Sequence, residues 1–230
     1  MDFAGLQKLT LLDYPGVVAC TLFTRGCDFR CPFCHNSSIL DAQTSCESIP
    51  EADVLAFLKK RRGILDGICV TGGEPLLHAE LPAFLKKIKA MDYRVKLDTN
   101  GSFPDRLRAL ISAGLIDTVA MDIKNSPNRY SETIGVPGFD LAPVTESVAL
   151  LNEGRISYEF RTTMVAEYHT EADMLAIGQW LRGNEPYFLQ AFVDSPDVLK
   201  KGLHAFPREQ MERFRERLLP MLPNTMLRGI

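Results

Sequence analysis

The chain has 230 residues, of which 46% are hydrophobic and 24% are charged, and its formal net charge is -3 at pH 7. A chain of this size can bury a full core, so we expect a single domain over residues 1–230. No run of about 18 apolar residues predicts a membrane span, and no excess of Lys and Arg predicts a nucleic-acid partner, so we expect a cytoplasmic protein.

Short apolar segments rich in branched residues alternate with longer segments of helical periodicity. The strands are predicted near Val17–Phe23, Gly67–Thr71, Arg94–Asp98, Thr118–Asp122, Ser157–Arg161 and Tyr187–Gln190. The helical segments include Glu51–Arg61, Leu81–Ala90 and an amphipathic Phe206–Leu219, with Pro50 and Pro82 placed where helices start. Repeated β–α units predict a parallel sheet. Six units are too few to close an eight-stranded barrel, so the predicted fold is α/β, an open partial (β/α)6 barrel.

The first predicted strand runs into a loop, residues 24–36, that carries Cys27, Cys31 and Cys34 in the pattern C-x3-C-x2-C. A four-iron, four-sulfur cluster is normally held by four cysteines, so a local triad indicates a cluster with one iron open. A zinc site with His35 as fourth ligand is an alternative, but His35 directly follows Cys34, and adjacent residues rarely both reach one tetrahedral ion. A disulfide framework is disfavoured because the chain shows no secretory signal peptide.

With Phe33 just before the last cysteine, the loop resembles the signature of the radical S-adenosylmethionine (SAM) enzymes. The resemblance implies one [4Fe-4S] cluster whose open iron binds the amino and carboxylate groups of SAM. It also implies reductive cleavage of SAM to methionine and a 5′-deoxyadenosyl radical, and the same partial-barrel fold. A solvent-reachable cluster requires low oxygen, so we expect anaerobic metabolism.

Polar groups follow five of the six predicted strands at their carboxyl ends, where the functional residues of parallel barrels gather. Beyond the cysteine loop, they are Thr71–Pro75, Asp98–Gly101, Asp122–Lys124 and Arg161–Thr163. Gly72 and Gly73 form either a tight turn or a place where a ligand approaches the main chain, and the cysteine triad favours the second. Asp98 and Asp122 would converge and repel unless a cation lay between them, or they are ordinary surface caps. Asn100 and Gly101 predict a turn.

The segments Asp98–Gly101 and Met121–Lys124 resemble those of the glycyl-radical-enzyme activases, and Gly5–Gly16 with Cys20–Cys27 is most similar to the anaerobic ribonucleoside-triphosphate reductase activating proteins. The resemblance implies that Asp98, Thr99 and Asp122 help bind a monovalent cation beside the SAM carboxylate and that Lys124 contacts SAM. We expect Phe33 near the adenine and Arg161 as a further candidate for the carboxylate. The remaining predicted SAM contacts are Asn36, Gly72, Gly73 and Glu74.

The implied partner is a glycyl radical enzyme, expected to be anaerobic ribonucleotide reductase, and the implied electron donor is a small protein such as flavodoxin or ferredoxin. Three other functions stay open at the level of the sequence. One is activation of a pyruvate formate-lyase type enzyme, and another is small-molecule chemistry of the kind catalysed by the deazaguanine-forming synthases. The third is a non-catalytic zinc-binding interaction domain.

The remaining cysteines and histidines receive no role from the sequence. Cys20 and Cys69 lie in apolar strands and are expected to be small buried hydrophobes, while Cys46 lies in a polar loop. The residues predicted to be surface or hydrogen-bonded polar groups are His78, His169 and His204.

Overall fold

The structure is a computed structural model that describes residues 1–41, 48–183 and 185–230. Its strands are β1 (Asp2–Phe3), β2 (Gly5–Thr10), β3 (Ala19–Thr24), β4 (Ile49–Pro50), β5 (Gly67–Gly72), β6 (Arg94–Thr99), β7 (Thr118–Asp122), β8 (Ser157–Met164), β9 (Tyr187–Ala191) and β10 (Thr225–Arg228). Its α-helices are α1 (Glu51–Lys60), α2 (Leu81–Lys89), α3 (Pro104–Ser112), α4 (Tyr130–Thr133), α5 (Ala142–Asn152), α6 (Glu171–Leu181) and α7 (Arg208–Leu218). Short 3-10 helices cover Ser37–Ile39, Pro75–Leu77 and Pro127–Arg129.

One large sheet organises the described residues, in the strand order β10-β9-β8-β7-β6-β5-β3-β2. Its neighbouring strands are parallel except for β2, which pairs antiparallel with β3. Strands β1 and β4 form a separate antiparallel pair. Because β2 and β10 lie at opposite edges of the order, the barrel is open, and the predicted fold class is confirmed.

Burial on both faces explains why the central strands form where the sequence predicts them. Ile68, Cys69 and Val70 of β5 are fully buried, the pattern of a parallel strand covered on both sides. Helix α2 begins with a proline in its first turn and buries residues spaced three and four apart, which are Leu81, Phe84, Leu85 and Ile88. Each β–α unit therefore contributes one buried strand and one apolar helix face to the core.

The six predicted strands all form, and all but β7 have at least one shifted end. Strand β3 begins at Ala19, two residues later than expected, and β8 continues to Met164, three residues further than expected. Strands β2 and β10 were not predicted. In β2 the consecutive residues Gln7, Lys8 and Leu9 are exposed, so no alternation marks the strand.

The C-terminal helix is a packing element, as predicted, with observed bounds Arg208–Leu218. It buries Met211, Phe214 and Leu218 and contacts α6 and β10. Within the described ranges, no helix has both the length and the apolar character needed to cross a membrane.

Candidate active site at the carboxyl ends of the strands

An open pocket of about 770 Å³, including solvent at its mouth, lies where the cysteine loop meets the carboxyl ends of β5, β6, β7 and β8. The predicted site residues that line it are Cys27, Cys31, Phe33, Cys34, Asn36, Gly72, Gly73, Asp98, Thr99, Asp122 and Lys124. Glu74 and Arg161 do not line it. The pocket also includes residues that were not predicted to bind the cluster or SAM, which are Phe29, His35, Leu40, Thr71, Asn100 and Thr163.

The cysteine loop is held in place by backbone hydrogen bonds from several directions. The amide of Gly26 donates to the carbonyl of Ile39 at 2.8 Å, and the amide of Arg30 donates to the carbonyl of Ile134 at 2.8 Å. On the outer side, the amide of Lys200 donates to the carbonyl of Pro32 at 2.8 Å. These contacts fix the shape of a loop that has no regular secondary structure between β3 and the 3-10 helix at Ser37–Ile39.

The three cysteines line one pocket, which suits an iron–sulfur cluster. Among the described residues, the structure groups no three His, Cys, Asp or Glu side chains in the way a single metal ion requires. In a [4Fe-4S] cluster each thiolate binds a separate iron, so cysteines spread around one pocket can all serve as ligands.

Burial makes these thiols poor acids, and the neighbouring lysine works against that effect. Burial raises the pKa of Cys27 and Cys31 to about 12, and it also raises the pKa of Cys34. The charge of Lys124 acts in the opposite direction on Cys31 and Cys34. A bound metal deprotonates its thiol ligands outright, so the donor set fits a cluster that supplies its own positive charge.

Gly72 and Gly73 bring the end of β5 against the chain that leads into the cysteine loop. The amide of Gly73 donates to the carbonyl of Thr24 at 3.0 Å, and a Cβ at Gly73 would lie 1.9 Å from the carbonyl oxygen of Gly26. Gly72 has φ +115, a conformation that favours glycine. The side chain of Asn36 donates to the carbonyl of Gly72 at 2.9 Å. The glycines therefore permit a close backbone approach, and both also face the pocket.

Glu74, predicted to contact SAM, lies behind the pocket wall. Its buried carboxylate accepts hydrogen bonds from the amide of Leu76 at 3.0 Å, the hydroxyl of Thr99 at 2.8 Å and the amide of Asn100 at 2.7 Å. Burial raises its pKa to about 8, against the opposing effect of these donors. The contacts of its carboxylate are to the protein's own loops, and they join the ends of β5 and β6.

Asp98 and Asp122 converge at the pocket, and Arg161 lies between them. The Arg161 guanidinium donates to Asp122 Oδ1 at 2.9 Å and to Asp98 Oδ2 at 3.2 Å. Lys96 Nζ donates to Asp98 Oδ1 at 2.5 Å, and Lys124 Nζ donates to Asp122 Oδ2 at 3.0 Å. The side chain of Asp98 is only 13% exposed, so the surface-cap alternative is wrong for this residue.

These pairs determine the ionisation of both aspartates. Burial alone would raise the pKa of each carboxyl, but Arg161 and the neighbouring lysines reverse the effect. The result is a pKa below the usual range for Asp98 and of about 2 for Asp122. Both carboxylates are therefore ionised at neutral pH.

Phe33 is buried at the pocket wall, with its ring centroid 5.8 Å from that of Tyr168 and 6.2 Å from that of His169. His169 is itself buried, and its Nε2 lies 2.9 Å from the carbonyl oxygen of Lys124. His78 Nε2 lies 2.8 Å from the carbonyl oxygen of Arg25, and His204 Nδ1 lies 2.6 Å from a carboxylate oxygen of Glu167. The prediction that these histidines are surface or hydrogen-bonded polar groups is confirmed.

Cys20 and Cys69 are fully buried in β3 and β5, as predicted. Cys46 lies outside the described residues.

The sequence analysis assigned no site contact to Asn100 or Lys96, although both bond to polar groups of this region. Asn100 forms the expected turn, since its Oδ1 accepts from the amide of Ser102 at 2.9 Å, but its Nδ2 also donates to Asp28 Oδ1 at 2.8 Å beside the cysteine loop. Lys96 lies two positions before Asp98 on β6, on the same face of the strand. That spacing of opposite charges was the available signal.

A comparison with protein families matches residues 21–181 to the model of the radical SAM superfamily. A protein of Methanocaldococcus jannaschii named "Putative glycyl-radical enzyme activating enzyme MJ1227" is 27% identical over 218 residues, which is 93% of this chain and 88% of that protein. A GTP 3',8-cyclase of Helicobacter pylori is 40% identical over 98 residues, but this match covers 40% of this chain and 30% of the cyclase.

Solved structures agree on the fold. Streptococcus suis SuiB superposes with a TM-score of 0.69 at 14% identity, over 89% of this chain and 47% of SuiB, so this chain spans about half the length of that protein. A domain of pyruvate-formate lyase-activating enzyme from Bacteroides vulgatus superposes with a TM-score of 0.58 at 17% identity, over 71% of this chain and 99% of that domain.

Proposed function

Because the chain belongs to the radical SAM superfamily, we propose that it is an activating enzyme that generates a glycyl radical on a partner enzyme. The observation that carries this proposal is the extent of the M. jannaschii match, which covers nearly the whole of both chains. The GTP 3',8-cyclase matches cover 40% to 64% of this chain and less than half of each cyclase. The segments Asp98–Gly101 and Met121–Lys124, at the carboxyl ends of β6 and β7, support the same function through their resemblance to the activases.

Membership of the superfamily implies a [4Fe-4S] cluster and SAM as cofactors. Cys27, Cys31 and Cys34 would hold the cluster, since their thiols are the ones that face the pocket. When bound, the cluster supplies the electron that cleaves SAM, and SAM supplies the group that takes a hydrogen atom from the partner's glycine.

The chain's own residues would bind and orient SAM. Lys124 presents an ammonium at the pocket wall, where it would pair with the SAM carboxylate, and Arg161 lies directly behind Asp122 on the same side. Phe33 offers an aromatic surface for the adenine. The other proposed SAM contacts are the pocket-lining residues Asn36, Gly72, Gly73, Asp98, Thr99 and Asp122. Glu74 would act indirectly, by holding the loops after β5 and β6.

For the partner we propose anaerobic ribonucleotide reductase, on the resemblance of Gly5–Gly16 and Cys20–Cys27. The pocket is open to solvent where the strands end, so a glycine-bearing loop of another protein could enter it. A small donor such as flavodoxin or ferredoxin would deliver the electron.

The test is anaerobic reconstitution with iron and sulfide, reduction with dithionite, and chromatography of 5′-deoxyadenosine formed from SAM, with and without the reductase. We expect cleavage together with a glycyl signal in electron paramagnetic resonance that requires both proteins. Cleavage without a signal on the reductase would refute this partner. If a pyruvate formate-lyase type enzyme also gave no signal, the activase function would be refuted. Absence of cleavage would refute the assignment of the pocket.

A further inference from the structure

The charge balance around Asp98 and Asp122 is the feature that goes beyond the proposed function. Each of the four carboxylate oxygens accepts a hydrogen bond from a side-chain cation: Lys96 and Arg161 on Asp98, and Arg161 and Lys124 on Asp122. Two negative charges thus meet three positive charges, and the group carries a net charge of +1 before any ligand binds.

A monovalent cation, which the resemblance implies at this position, does not fit this arrangement. Such an ion takes oxygen ligands, and each of the aspartate oxygens it would need already accepts a hydrogen bond from an ammonium or guanidinium group. It would also add a further positive charge beside Lys96, Arg161 and Lys124, whose side chains are only 2%, 14% and 19% exposed, so the ion and these three cations would repel one another. An ion bound between the two aspartates would therefore compete with three cations that already neutralise both carboxylates.

We infer that Lys96 and Arg161 supply the positive charge at Asp98 and Asp122, and that SAM binds beside them without a bound monovalent cation. A net charge of +1 on these five side chains suits the SAM carboxylate, whose single negative charge would offset it. This inference rests on the proposed SAM site, but it does not depend on the identity of the partner enzyme.

Lys96 is the residue on which the inference turns. Its side chain is 2% exposed, and it lies on β6 with its ammonium on the oxygen of Asp98 that Arg161 does not contact. A buried lysine in a parallel strand costs desolvation free energy unless it is paired, and Asp98 is its ion-pair partner. Lys96 therefore acts through Asp98, as a positioning residue, and it does not line the pocket.

The first experiment measures SAM affinity by isothermal titration calorimetry on the anaerobically reconstituted, unreduced enzyme. Titrations in choline chloride, KCl and NaCl at equal ionic strength separate a specific cation from general screening. For the wild type we expect dissociation constants that agree within about twofold. A saturable requirement for K⁺ or Na⁺ in the wild type would overturn the inference.

Substitution of Lys96 by methionine should create the cation site that the wild type lacks. Methionine keeps the length of the side chain and leaves Asp98 Oδ1 without its cation, so we expect SAM to bind at least about tenfold more weakly in choline than in KCl. Lys96→Arg should restore the cation-independent behaviour. Lys86→Met, at an exposed position of α2, is the matched control and should behave as the wild type. Cation-independent binding by a folded Lys96→Met enzyme would contradict the role of Lys96.

A second readout needs no variant. Crystals of the SAM complex grown with thallium(I) should show no anomalous peak between Asp98 and Asp122 in the wild type, and a peak there would overturn the inference. If the wild-type enzyme bound no SAM in any of the three salts, both this inference and the proposed function would be overturned. If SAM binding by the wild-type enzyme required K⁺ or Na⁺, only this inference would be overturned.

Discussion

Substitution of Gly73 by alanine tests how closely the end of β5 supports the cysteine loop. The added Cβ would lie 1.9 Å from the carbonyl oxygen of Gly26 and 2.6 Å from its carbonyl carbon. Both are backbone atoms, so no side-chain rotation relieves the contact. Gly73 is not among the glycines with positive φ, so the penalty comes from this contact and not from backbone conformation.

The size of the effect follows from the distance. Ordinary contact begins at 3.4 Å, so the chain at Gly26 must move by about 1.5 Å. Overpacking of this kind lowers the free energy of unfolding by about 1–3 kcal/mol. Cys27 follows Gly26 directly, and a functional group displaced by about 1 Å can lose about 100-fold in rate. We therefore expect Gly73→Ala to fold, with a SAM cleavage rate lowered by about 100-fold.

Urea denaturation of the metal-free protein measures the free energy of unfolding. Formation of 5′-deoxyadenosine at equal iron and sulfide content measures the rate of SAM cleavage. Gly183→Ala is the control, because a Cβ there meets nothing within 4 Å. It should change neither quantity. A Gly73→Ala enzyme with wild-type stability and cleavage rate would show that the loop after β5 does not position Cys27.

Three further predictions concern the cluster ligands, a buried network and a titrating carboxyl. Cys31→Ala should abolish SAM cleavage, whereas Cys20→Ala, in the core of β3, should retain it when assayed by 5′-deoxyadenosine formation. The Asp173 carboxylate accepts hydrogen bonds from the Ser126 hydroxyl at 2.6 Å and from the Arg129 guanidinium at 3.1 Å. Asp173→Ala removes both, so it should lower the free energy of unfolding by about 2–3 kcal/mol in urea melts. Asp53→Ala, at the equivalent, exposed position of α1, should cost less than about 1 kcal/mol. Because burial raises the pKa of Glu74 from 4.5 to about 8, the folded state retains a proton that the unfolded state releases. The free energy of unfolding should therefore fall as pH rises through that interval, and Glu74→Gln should flatten this part of the profile.

The central strands were predictable because burial leaves a local mark on the sequence. Strand β7 has its predicted bounds, and β5 and β6 each end one residue later than predicted. Such strands are covered on both faces and read as continuous apolar runs. The edge strand β2 has no continuous apolar run, since Gln7, Lys8 and Leu9 are exposed. It forms a strand because it pairs with β3. Edge strands therefore depend on tertiary contacts that a local pattern does not contain.

The candidate site likewise contains residues that were predictable from local spacing and residues that depend on distant contacts. The cysteine triad lies within eight positions of the chain, so its chemistry was visible from spacing alone. The position of Arg161 was not, because its partners Asp122 and Asp98 are 39 and 63 residues away and are brought together by neighbouring strands of the sheet. Lys96 is a third case. A lysine is usually expected at the surface, and only the buried ion pair with Asp98 explains why this one lies inside the sheet.

The cysteine loop owes its shape to contacts that do not involve a metal. Near the start of the loop, the amide of Glu74, just after β5, donates a hydrogen bond to the carbonyl of Gly26. In the middle of the loop, the amide of Arg30 donates to the carbonyl of Ile134, just after α4. On the outer side, the amide of Lys200, in the segment after β9, donates to the carbonyl of Pro32. A loop anchored on three sides by backbone hydrogen bonds retains its conformation when one thiol is removed, because none of these bonds uses a cysteine side chain. Cys31→Ala should therefore unfold cooperatively, close to the wild-type midpoint of the metal-free protein, while it loses SAM cleavage. Collapse of the variant in the metal-free state would instead show that the thiol itself holds the loop together.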